Sequence, residues 1–379
     1  MKRVGHLWEQ IISDENLGRA IDEVNRTHHW LPGHRPNKCT AWVEITRTMR
    51  IAALRTILEN GFVPQKPKIM KKYDSAAQKW RTISEPAQWP DQYVHHALVQ
   101  VLQPVLMRGM DPNCCGSIRG RGIHYGKRKI ERWVRRDRKH SRWCATMDIR
   151  HFYDSIAPSL VTAVLERKIK DRRALELVRR VTTNGVQIGA YPSQWLANTV
   201  LQGLDHMIRR HKGLRYLRYM DNLTLFGPNK RKLHRLVRAV GAWLRARGLT
   251  LKSDWQVFPV DRRLPCALGY RYGRSYTIPR KGNLLRLKRK MAAWRKRQAK
   301  GRRTGARNAN GLLSRIGQLR HCSNVRLYRM LFRGERVQAT LKDTVRRGQS
   351  TRLTWEQFMA EYAAGAYAAA ARRERRMQT

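Results

Sequence analysis

Acidic residues are scarce in this chain of 379 residues, which has 27 Asp plus Glu against 79 Lys plus Arg and a formal net charge of +52. A solvated surface ordinarily mixes both signs, and an excess of this size repels itself in a compact monomer. A polyanion offsets that repulsion, and nucleic acid binds many cations along a track. The charge balance therefore predicts a nucleic-acid partner.

Long apolar runs are also missing, because no stretch of about 18 apolar residues is present to span a bilayer. The first residues, Met1 to His6, are followed by polar residues and lack the apolar core of a signal peptide. None of the six cysteines forms a Cys-x-x-Cys pair, and no histidine cluster has zinc-ligand spacing. We therefore expect reduced thiols, a cytoplasmic location and no membrane partner.

The first part of the chain has the periodicity of helices followed by a hairpin. Apolar residues recur at helical spacing in residues 1–60 and 92–107. Segments 68–70 and 80–83 predict two paired strands, with Asp74-Ser75 near their turn. A basic, Gly-rich loop is expected at 116–126.

The middle of the chain alternates between strand and helix patterns. A strand at 143–149 ends on Asp148, and helices are expected after Pro158 and at 193–210. Two strands, 214–220 and 223–226, are separated by Asp221-Asn222, residue types that tolerate the positive φ of a tight turn. An amphipathic helix follows at 229–247. This order predicts an α+β fold with a sheet covered on one face.

The last part of the chain is strongly basic. Residues 280–310 contain no acidic residue, and apolar side chains are interleaved with many cations. This pattern predicts a separate helical subdomain with one face towards a phosphate backbone. Residues 362–371 are Ala-rich and predict a helical tail.

Asp148 and Asp221 are the candidate catalytic residues. Each lies at the end of a strand in an apolar setting, and a single Asp in such a place most often caps a turn. Here two such residues occur about 70 positions apart in a chain with few carboxylates to spare. Joining a nucleotide to a 3′ hydroxyl uses two divalent metals held by carboxylates. The pair therefore predicts a site for nucleotidyl transfer.

Several motifs over residues 65–275 resemble those of the bacterial reverse transcriptases, in the same order. The motifs are Lys71-Lys72-Tyr73-Asp74-Ser75 with Lys79-Trp80-Arg81, Gly120-Arg121-Gly122, Asp148 to Tyr153, Gly248-Leu249-Thr250-Leu251 and Leu268-Gly269-Tyr270. The resemblance implies an RNA-directed DNA polymerase, bacterial or phage-encoded, with a right-hand fold. Its fingers and palm, an antiparallel sheet covered by helices, would be followed by an α-helical thumb. The expected segments are 1–60 (N-terminal helical extension), 61–275 (fingers and palm), 276–345 (basic thumb) and 346–379 (helical tail).

The resemblance also assigns roles to single residues. The metal ligands would be Asp148, Asp221 and the backbone carbonyl of Ile149, holding two Mg²⁺ ions that Mn²⁺ can replace. The residues that would bind the incoming nucleotide are Lys72, Arg81, Tyr153 and Gln194, with Tyr153 as the steric gate against a 2′ hydroxyl. Those that would contact template or primer are Arg121, Gly269 and Tyr270. Expected partners are template RNA, a cDNA or DNA primer, deoxynucleotides and a small accessory protein.

One motif narrows the resemblance. Residues 188–194 have the form Ile-Gly-x-x-x-Ser-Gln, which is typical of diversity-generating retroelement reverse transcriptases, whereas most bacterial relatives have Gln-Gly-x-x-x-Ser-Pro. In those elements the cDNA carries substitutions at template adenines. The sequence departs from the family at Asn222, where a second Asp is usual, and at Ile118, where many relatives have Arg. Asn222 keeps an oxygen ligand but brings no charge to the catalytic group.

Two other functions remain open from the sequence. A defence-associated, anti-phage reverse transcriptase has the same core motifs, and only genomic context separates it from a retroelement enzyme. A catalytically weak RNA-binding protein on a polymerase fold is favoured by Asn222 alone. Asp148, Tyr153, Gln194 and Asp221 argue against that alternative, because an inert scaffold has no need of metal ligands.

Overall fold

The computed structural model describes residues 2–27, 47–74, 79–323, 328–329, 331–332 and 337–349. Two predictions lie outside these residues, namely the turn after Asp74 and the Ala-rich helix at 362–371. No helix among the described residues combines the length and the apolar character needed to cross a bilayer. The division of the chain at 60, 275 and 345 stays a prediction.

Helices make up most of the described structure. They are α1 (Trp8–Ile11), α2 (Asp14–Thr27), α3 (Arg47–Glu59), α4 (Tyr93–Met107), α5 (Ile123–Arg136), α6 (Pro158–Glu166), α7 (Arg172–Val181), α8 (Tyr191–Val200), α9 (Gln202–Arg209), α10 (Lys230–Arg245), α11 (Lys281–Ala299), α12 (Ala306–Leu319) and α13 (Val337–Gln349).

Strands form a hairpin and two sheets. They are β1 (Lys68–Asp74), β2 (Lys79–Glu85), β3 (Trp143–Arg150), β4 (Arg215–Tyr219), β5 (Asn222–Gly227), β6 (Thr250–Leu251), β7 (Gln256–Pro259), β8 (Cys266–Ala267), β9 (Tyr270–Tyr272) and β10 (Thr277–Pro279). The predicted hairpin is β1–β2, which is antiparallel. The central sheet has the order β4-β5-β3-β6, with β7 also paired to β3.

The central sheet has two different faces, because successive side chains of a strand point to opposite sides. Ala145, Met147 and Ile149 of β3 belong to the largest hydrophobic cluster, which includes side chains of α4, α8 and α10. We call this side the helix face. Cys144 and, by alternation, Asp148 lie on the other side, which we call the open face. The mixed architecture confirms the predicted α+β right-hand class.

The open face is partly covered near Cys144, at the start of β3. Ile130 and Val134 of α5 pack there with Cys144, together with Tyr270 and Tyr272 of the small sheet β8–β10. The remaining basic helices α11 to α13 have a hydrophobic cluster of their own around Met291, Leu312, Ile316 and Leu341. Helix α12 also contacts β10, so the basic helices adjoin the small sheet.

Two local predictions were wrong, and one helix was missed. The segment 193–210 is not one helix, because α8 ends before Leu201 and α9 begins at Gln202. The loop predicted at 116–126 ends at Gly122, where α5 begins. Gly126 lies inside α5, and a Cβ there would come within 2.7 Å of Leu268 and 2.9 Å of Cys115, so this glycine serves close packing. Helix α7 was not predicted, although Asp171 caps its start by accepting from the Ala174 amide at 3.1 Å.

The hairpin formed by β4 and β5 turns one residue earlier than predicted. Tyr219 of β4 pairs with Asn222 of β5, so Met220 and Asp221 form the two-residue turn. Met220 takes the positive φ, +55°, which the sequence had assigned to Asp221-Asn222. Asn222 is therefore a strand residue, and it lies directly opposite Asp148 of β3.

Candidate active site

The fold brings Asp148 and Asp221 together at one edge of the central sheet. Asp148 is near the end of β3, and Asp221 is in the turn that joins β4 to the neighbouring strand β5. The backbone amide of Ile149 donates to the backbone carbonyl of Asp221 at 3.2 Å. This bond fixes the turn beside the end of β3, so that two carboxylates far apart in the sequence share one site.

The Asp148 carboxylate is only half satisfied by the protein. Its Oδ2 accepts from the Lys252 ammonium at 2.5 Å, and the Lys252 backbone amide donates to the Asp148 carbonyl at 2.9 Å. Its Oδ1 is buried and has no hydrogen-bond partner in the described structure. A buried carboxylate oxygen without a donor costs free energy, which a bound cation would recover.

Asp221 faces a second negative charge. Burial raises the pKa of Asp221, and the neighbouring Asp148 carboxylate raises it further. The Asn222 side-chain amide opposes this shift by donating to Asp221 Oδ1 at 3.0 Å. Two carboxylates that repel one another at a partly buried site favour the entry of a cation between them.

The donor set fits Mg²⁺ with substrate oxygens completing its shell. Within the described ranges no group of three or more His, Cys, Asp or Glu converges on one point. Mg²⁺ is commonly held by one or two carboxylates together with substrate phosphates and water. The Ile149 side chain is buried in the helix face, which leaves its backbone carbonyl for the predicted role. The choice of ion stays a prediction.

Two of the residues predicted to bind a nucleotide, Arg81 and Tyr153, are close enough to influence one another electrostatically. Burial and, to a smaller extent, the Asp221 charge raise the pKa of Tyr153 to about 12, while Arg81 opposes the shift. Arg81 pairs in register with Lys72 across the β1–β2 hairpin, and its Nε donates to Asp74 Oδ2 at 2.8 Å. The Tyr153 hydroxyl thus lies within electrostatic range of a guanidinium and of the second carboxylate.

The loop before α8 packs against the hairpin. The Ser84 amide of β2 donates to the Ile188 carbonyl at 2.8 Å. A Cβ on Gly189 would come within 2.4 Å of the Ser84 carbonyl oxygen, and its φ is +121°, so only glycine fits there. Gln194 is exposed in the first turn of α8, and in the described structure no hydrogen bond links it to Asp148 or Asp221.

The predicted template loop runs beside the catalytic hairpin. The Arg218 amide of β4 donates to the Asn113 carbonyl at 3.0 Å, and the Cys115 amide donates to the Arg218 carbonyl at 2.9 Å. Arg121 lies at the far end of the loop, where one of its nitrogens donates to the Asp111 carbonyl at 3.1 Å. Its contact with a template stays a prediction.

The predicted primer-contacting turn is tied to the basic helices. The Gly269 carbonyl accepts from the Arg280 amide at 2.9 Å and from the Gln318 side chain at 3.0 Å. Gly269 lines a cleft of about 750 Å³ between the small sheet and α12, where the His124 and His321 rings lie 3.8 Å apart. Tyr270 is 1% exposed. A contact with nucleic acid at this position would therefore come from the backbone.

The sequence interpretation missed a buried ion pair behind the turn. Arg218 and Asp205 have fully buried side chains and form two hydrogen bonds of 2.7 Å, and the Tyr216 hydroxyl also donates to Asp205. A third nitrogen of Arg218 donates to Asn198 Oδ1 at 2.8 Å and to the Met220 carbonyl at 3.1 Å. This network holds the first residue of the catalytic turn.

A signal for this network was present in the sequence. Leu217 and Tyr219 of β4 pack on the open face, so alternation places Tyr216 and Arg218 on the helix face. A charged residue at a core-facing strand position requires a buried partner. The partner's identity, Asp205 on α9, depended on a helix whose limits the periodicity did not resolve. Lys252 carried no signal, because lysines are common throughout this chain.

Residues 65–258, slightly more than half of the chain, match the family model described as reverse transcriptase (RNA-dependent DNA polymerase). The chain belongs to the reverse transcriptase family. The expected enzyme class, an RNA-directed DNA polymerase among the nucleotidyltransferases, is confirmed at the level of this family. No curated protein sequence matches this reverse transcriptase.

Telomerases of two Candida species are among the solved structures to which the chain has a weak similarity. One is a Candida albicans telomerase in complex with a fragment of telomeric RNA (11% identity, TM-score 0.46, 76% of this chain and 56% of that chain covered). Two apo telomerases of Candida tropicalis have TM-scores of 0.40 and 0.39 at 11% and 10% identity, covering 62% and 70% of this chain. This reverse transcriptase spans 59% and 65% of those two chains, and thus less than two thirds of each telomerase.

Proposed function

We propose that this reverse transcriptase copies a dedicated template RNA into cDNA by two-metal nucleotidyl transfer at Asp148 and Asp221. The observation that supports this most directly is the Asp148 carboxylate, which has one buried oxygen without a partner beside the half-buried carboxylate of Asp221. Most buried polar side-chain atoms have a hydrogen-bond partner, so an open carboxylate oxygen beside a like charge favours a bound cation. Neighbouring carboxylates with an open oxygen and a raised pKa are typical of a metal-binding catalytic site.

Each residue of the site has a separate role in the proposed nucleotidyl transfer. Bound Mg²⁺ ions would lower the pKa of the primer 3′ hydroxyl and stabilise charge on the transferring phosphoryl group. Asp148 and Asp221 neutralise and position these ions, while the Asn222 amide keeps Asp221 ionised and oriented. Lys252 holds Oδ2, the other oxygen of the Asp148 carboxylate, so its ammonium competes with a metal ion for the charge of that group.

The β1–β2 hairpin and Tyr153 bind the incoming deoxynucleoside triphosphate. Lys72 and Arg81 lie opposite one another on β1 and β2, where two cations can hold a triphosphate. The Tyr153 ring contacts Phe152 with 5.5 Å between ring centroids and packs on the main core, so it is held in place. A fixed ring beside Asp221 excludes a 2′ hydroxyl by steric contact, which selects deoxynucleotides.

We further propose that the enzyme is of the diversity-generating retroelement type, encoded by a bacterium or phage and assisted by a small accessory protein. The Ile188–Gln194 motif carries this proposal, because it replaces two polar or rigid residues of other bacterial enzymes by Ile and Gln. The loop is bonded to β2 through Ser84, so its conformation is coupled to the hairpin that covers the nucleotide. Weaker discrimination between right and wrong pairs follows from fewer well-aimed hydrogen bonds.

Primer extension on an RNA template tests the polymerase assignment. We expect slow synthesis with a high Mg²⁺ requirement, increased by Mn²⁺. Sequencing of cDNA made on the cognate RNA tests the retroelement type, since substitutions are expected mainly opposite template adenines. Uniformly accurate cDNA would contradict that type and favour the defence role, while leaving the polymerase assignment intact.

A second candidate function is RNA binding without catalysis. It is favoured by Asn222 and by the Lys252 ammonium, which already neutralises one Asp148 oxygen. Such a protein would bind RNA but would extend no primer at any Mg²⁺ or Mn²⁺ concentration. The same titration of extension against metal therefore separates the two functions.

A further inference from the structure

The outward side of α10 is a row of exposed arginines. Its members are Arg231, Arg235, Arg238 and Arg245. At 3.6 residues per turn these positions fall within about 80° of the helix circumference and span about 21 Å along its axis. The helix sequence, KRKLHRLVRAVGAWLR, contains no acidic residue. We call these four side chains the outer arginine row.

The charge of the outer arginine row is not neutralised by the protein. Within the described part of the chain, none of its four members forms an ion pair, whereas Arg179, Arg215 and Arg274 each contact a carboxylate. More positive charge lies near the end of the helix, at Arg247 and Arg167. Burial lowers the pKa of Arg247, and the Arg167 charge lowers it further. Cations left together without a counter-charge indicate an external anion.

The outer arginine row lies on the side of the molecule away from the catalytic site. The opposite side of α10 packs into the helix face through Leu233, Leu236, Val237, Val240 and Leu244. Asp148 is on the open face of the same sheet. A template and primer bound on the open face are thus separated from the row by the sheet and by α10 itself. Template binding therefore does not account for this charge.

We propose that the outer arginine row binds the phosphate backbone of a double-helical segment of the RNA, outside the stretch that is being copied. Guanidinium groups bind phosphate through two parallel hydrogen bonds, and a row about 21 Å long passes several phosphates of one duplex. Double-stranded RNA is recognised mainly through its shape and its backbone. The site would hold a folded part of the RNA while its template part lies in the cleft.

The composition of the row favours RNA over a membrane. The other exposed residues along α10 are Lys230, Lys232, Ala239 and Ala242. A helix that lies in a membrane interface carries large apolar side chains opposite its charged face, and here that apolar side is buried in the core. The row therefore has charge for a phosphate backbone but no apolar group to insert into lipid.

The test compares two RNAs that differ only outside the template. One is a short RNA template annealed to a DNA primer, and the other carries an added hairpin of about 20 base pairs. Binding is measured without nucleotides at several salt concentrations. The variant is Arg231→Gln/Arg235→Gln/Arg238→Gln. The matched control is Arg128→Gln/Arg132→Gln/Arg136→Gln on α5, three exposed arginines that also lack an ion pair in the described structure and lie on the open-face side.

We expect the hairpin to increase the affinity of wild type and of the α5 control roughly tenfold at low salt, and to add about two units to the log–log salt slope. The α10 variant should lose this increment but bind the short RNA like wild type. The proposal is overturned if the hairpin gives wild type no gain, if the α5 control loses the gain equally, or if the α10 variant keeps it. The assignment to RNA is overturned if a DNA hairpin of the same length gives the same gain. It is also overturned if the α10 variant keeps the gain from the RNA hairpin but loses binding to anionic vesicles. Primer extension on a short template is measured separately, so failure of this proposal is distinguishable from failure of the polymerase assignment.

Discussion

The two faces of the central sheet treat buried charge in opposite ways. On the helix face the guanidinium of Arg218 has Asp205, Asn198 and the Met220 carbonyl as partners, and its charge is fully compensated. On the open face one oxygen of Asp148 has no partner and Asp221 faces a like charge. The Arg218–Asp205 ion pair therefore has all its partners within the protein. The carboxylates of Asp148 and Asp221, by contrast, are left with an open oxygen and a like-charge repulsion that a bound metal ion would relieve.

The Arg218–Asp205 ion pair fixes the turn that contains Asp221. Arg218 holds the Met220 carbonyl, and Met220 is the residue before Asp221 in the turn. The strained backbone of that turn, with φ of +55° at Met220, is thus fixed from the helix face. If this comparison is right, variants on the helix face should lower stability, and variants on the open face should change metal and nucleotide binding.

The largest effect is expected for Arg218→Gln. It leaves Asp205 buried without its counter-charge, which costs about 3–5 kcal/mol of the free energy of unfolding. Arg215→Gln is the control, because that ion pair with Asp137 is partly exposed and is worth less than about 1 kcal/mol. Urea unfolding measures both. Equal stability of the two variants would show that the buried network does not hold the sheet.

A second variant concerns the sugar gate on the open face. Tyr153→Ala should admit ribonucleotides and reduce discrimination against them by about 10- to 100-fold, because the ring excludes the 2′ hydroxyl by contact. Tyr153→Phe keeps the ring and should keep the discrimination. Single-nucleotide incorporation with matched ribo- and deoxynucleotides measures the ratio. Unchanged discrimination in Tyr153→Ala would remove Tyr153 from this role.

A third variant removes the internal cation of the open face. Lys252→Gln frees Asp148 Oδ2, so Mn²⁺ should bind about threefold more tightly, in line with the value of a partly exposed ion pair. Electron paramagnetic resonance of free Mn²⁺ reports this without nucleotide or catalysis. Arg150→Gln, an exposed cation at the end of the same strand, is the control. Weaker Mn²⁺ binding in Lys252→Gln would mean that the lysine helps to form the metal site.

The smallest effect is expected for Asn222→Asp. The substitution removes the amide that donates to Asp221 and adds a like charge, so it should raise the pKa of Asp221 further and lower the Mg²⁺ needed for half-maximal extension. A carboxyl group whose pKa is raised by folding stabilises the protein below its unfolded pKa and loses this contribution as pH rises through the folded pKa. In EDTA the variant should therefore melt below wild type at neutral pH, with a deficit that shrinks in acid. An unchanged melting temperature and Mg²⁺ requirement would show that Asn222 is remote from the metals.

Local patterns predicted the parts of the site that depend on local chemistry. Alternation placed Asp148 near the end of a strand, and the apolar runs around Asp221-Asn222 predicted the hairpin. The exact turn was not predictable, because the pairing of Tyr219 with Asn222 decides it. The partner of Arg218 and the contact of Lys252 with Asp148 span 13 and 104 positions of the chain. Such contacts are set by how the helices and strands pack, which periodicity alone does not encode.

The central claim is tested most directly by Asp148→Asn and Asp221→Asn in single-nucleotide extension on an RNA template, with RNA binding and Mn²⁺ binding measured on the same samples. Each carboxylate neutralises metal charge, so we expect at least a roughly 1000-fold loss of extension and weaker Mn²⁺ binding, with RNA affinity unchanged. In EDTA, Asp221→Asn should melt above wild type, because it removes a buried charge beside Asp148. Extension near the wild-type rate by either variant would contradict the assignment of the active site.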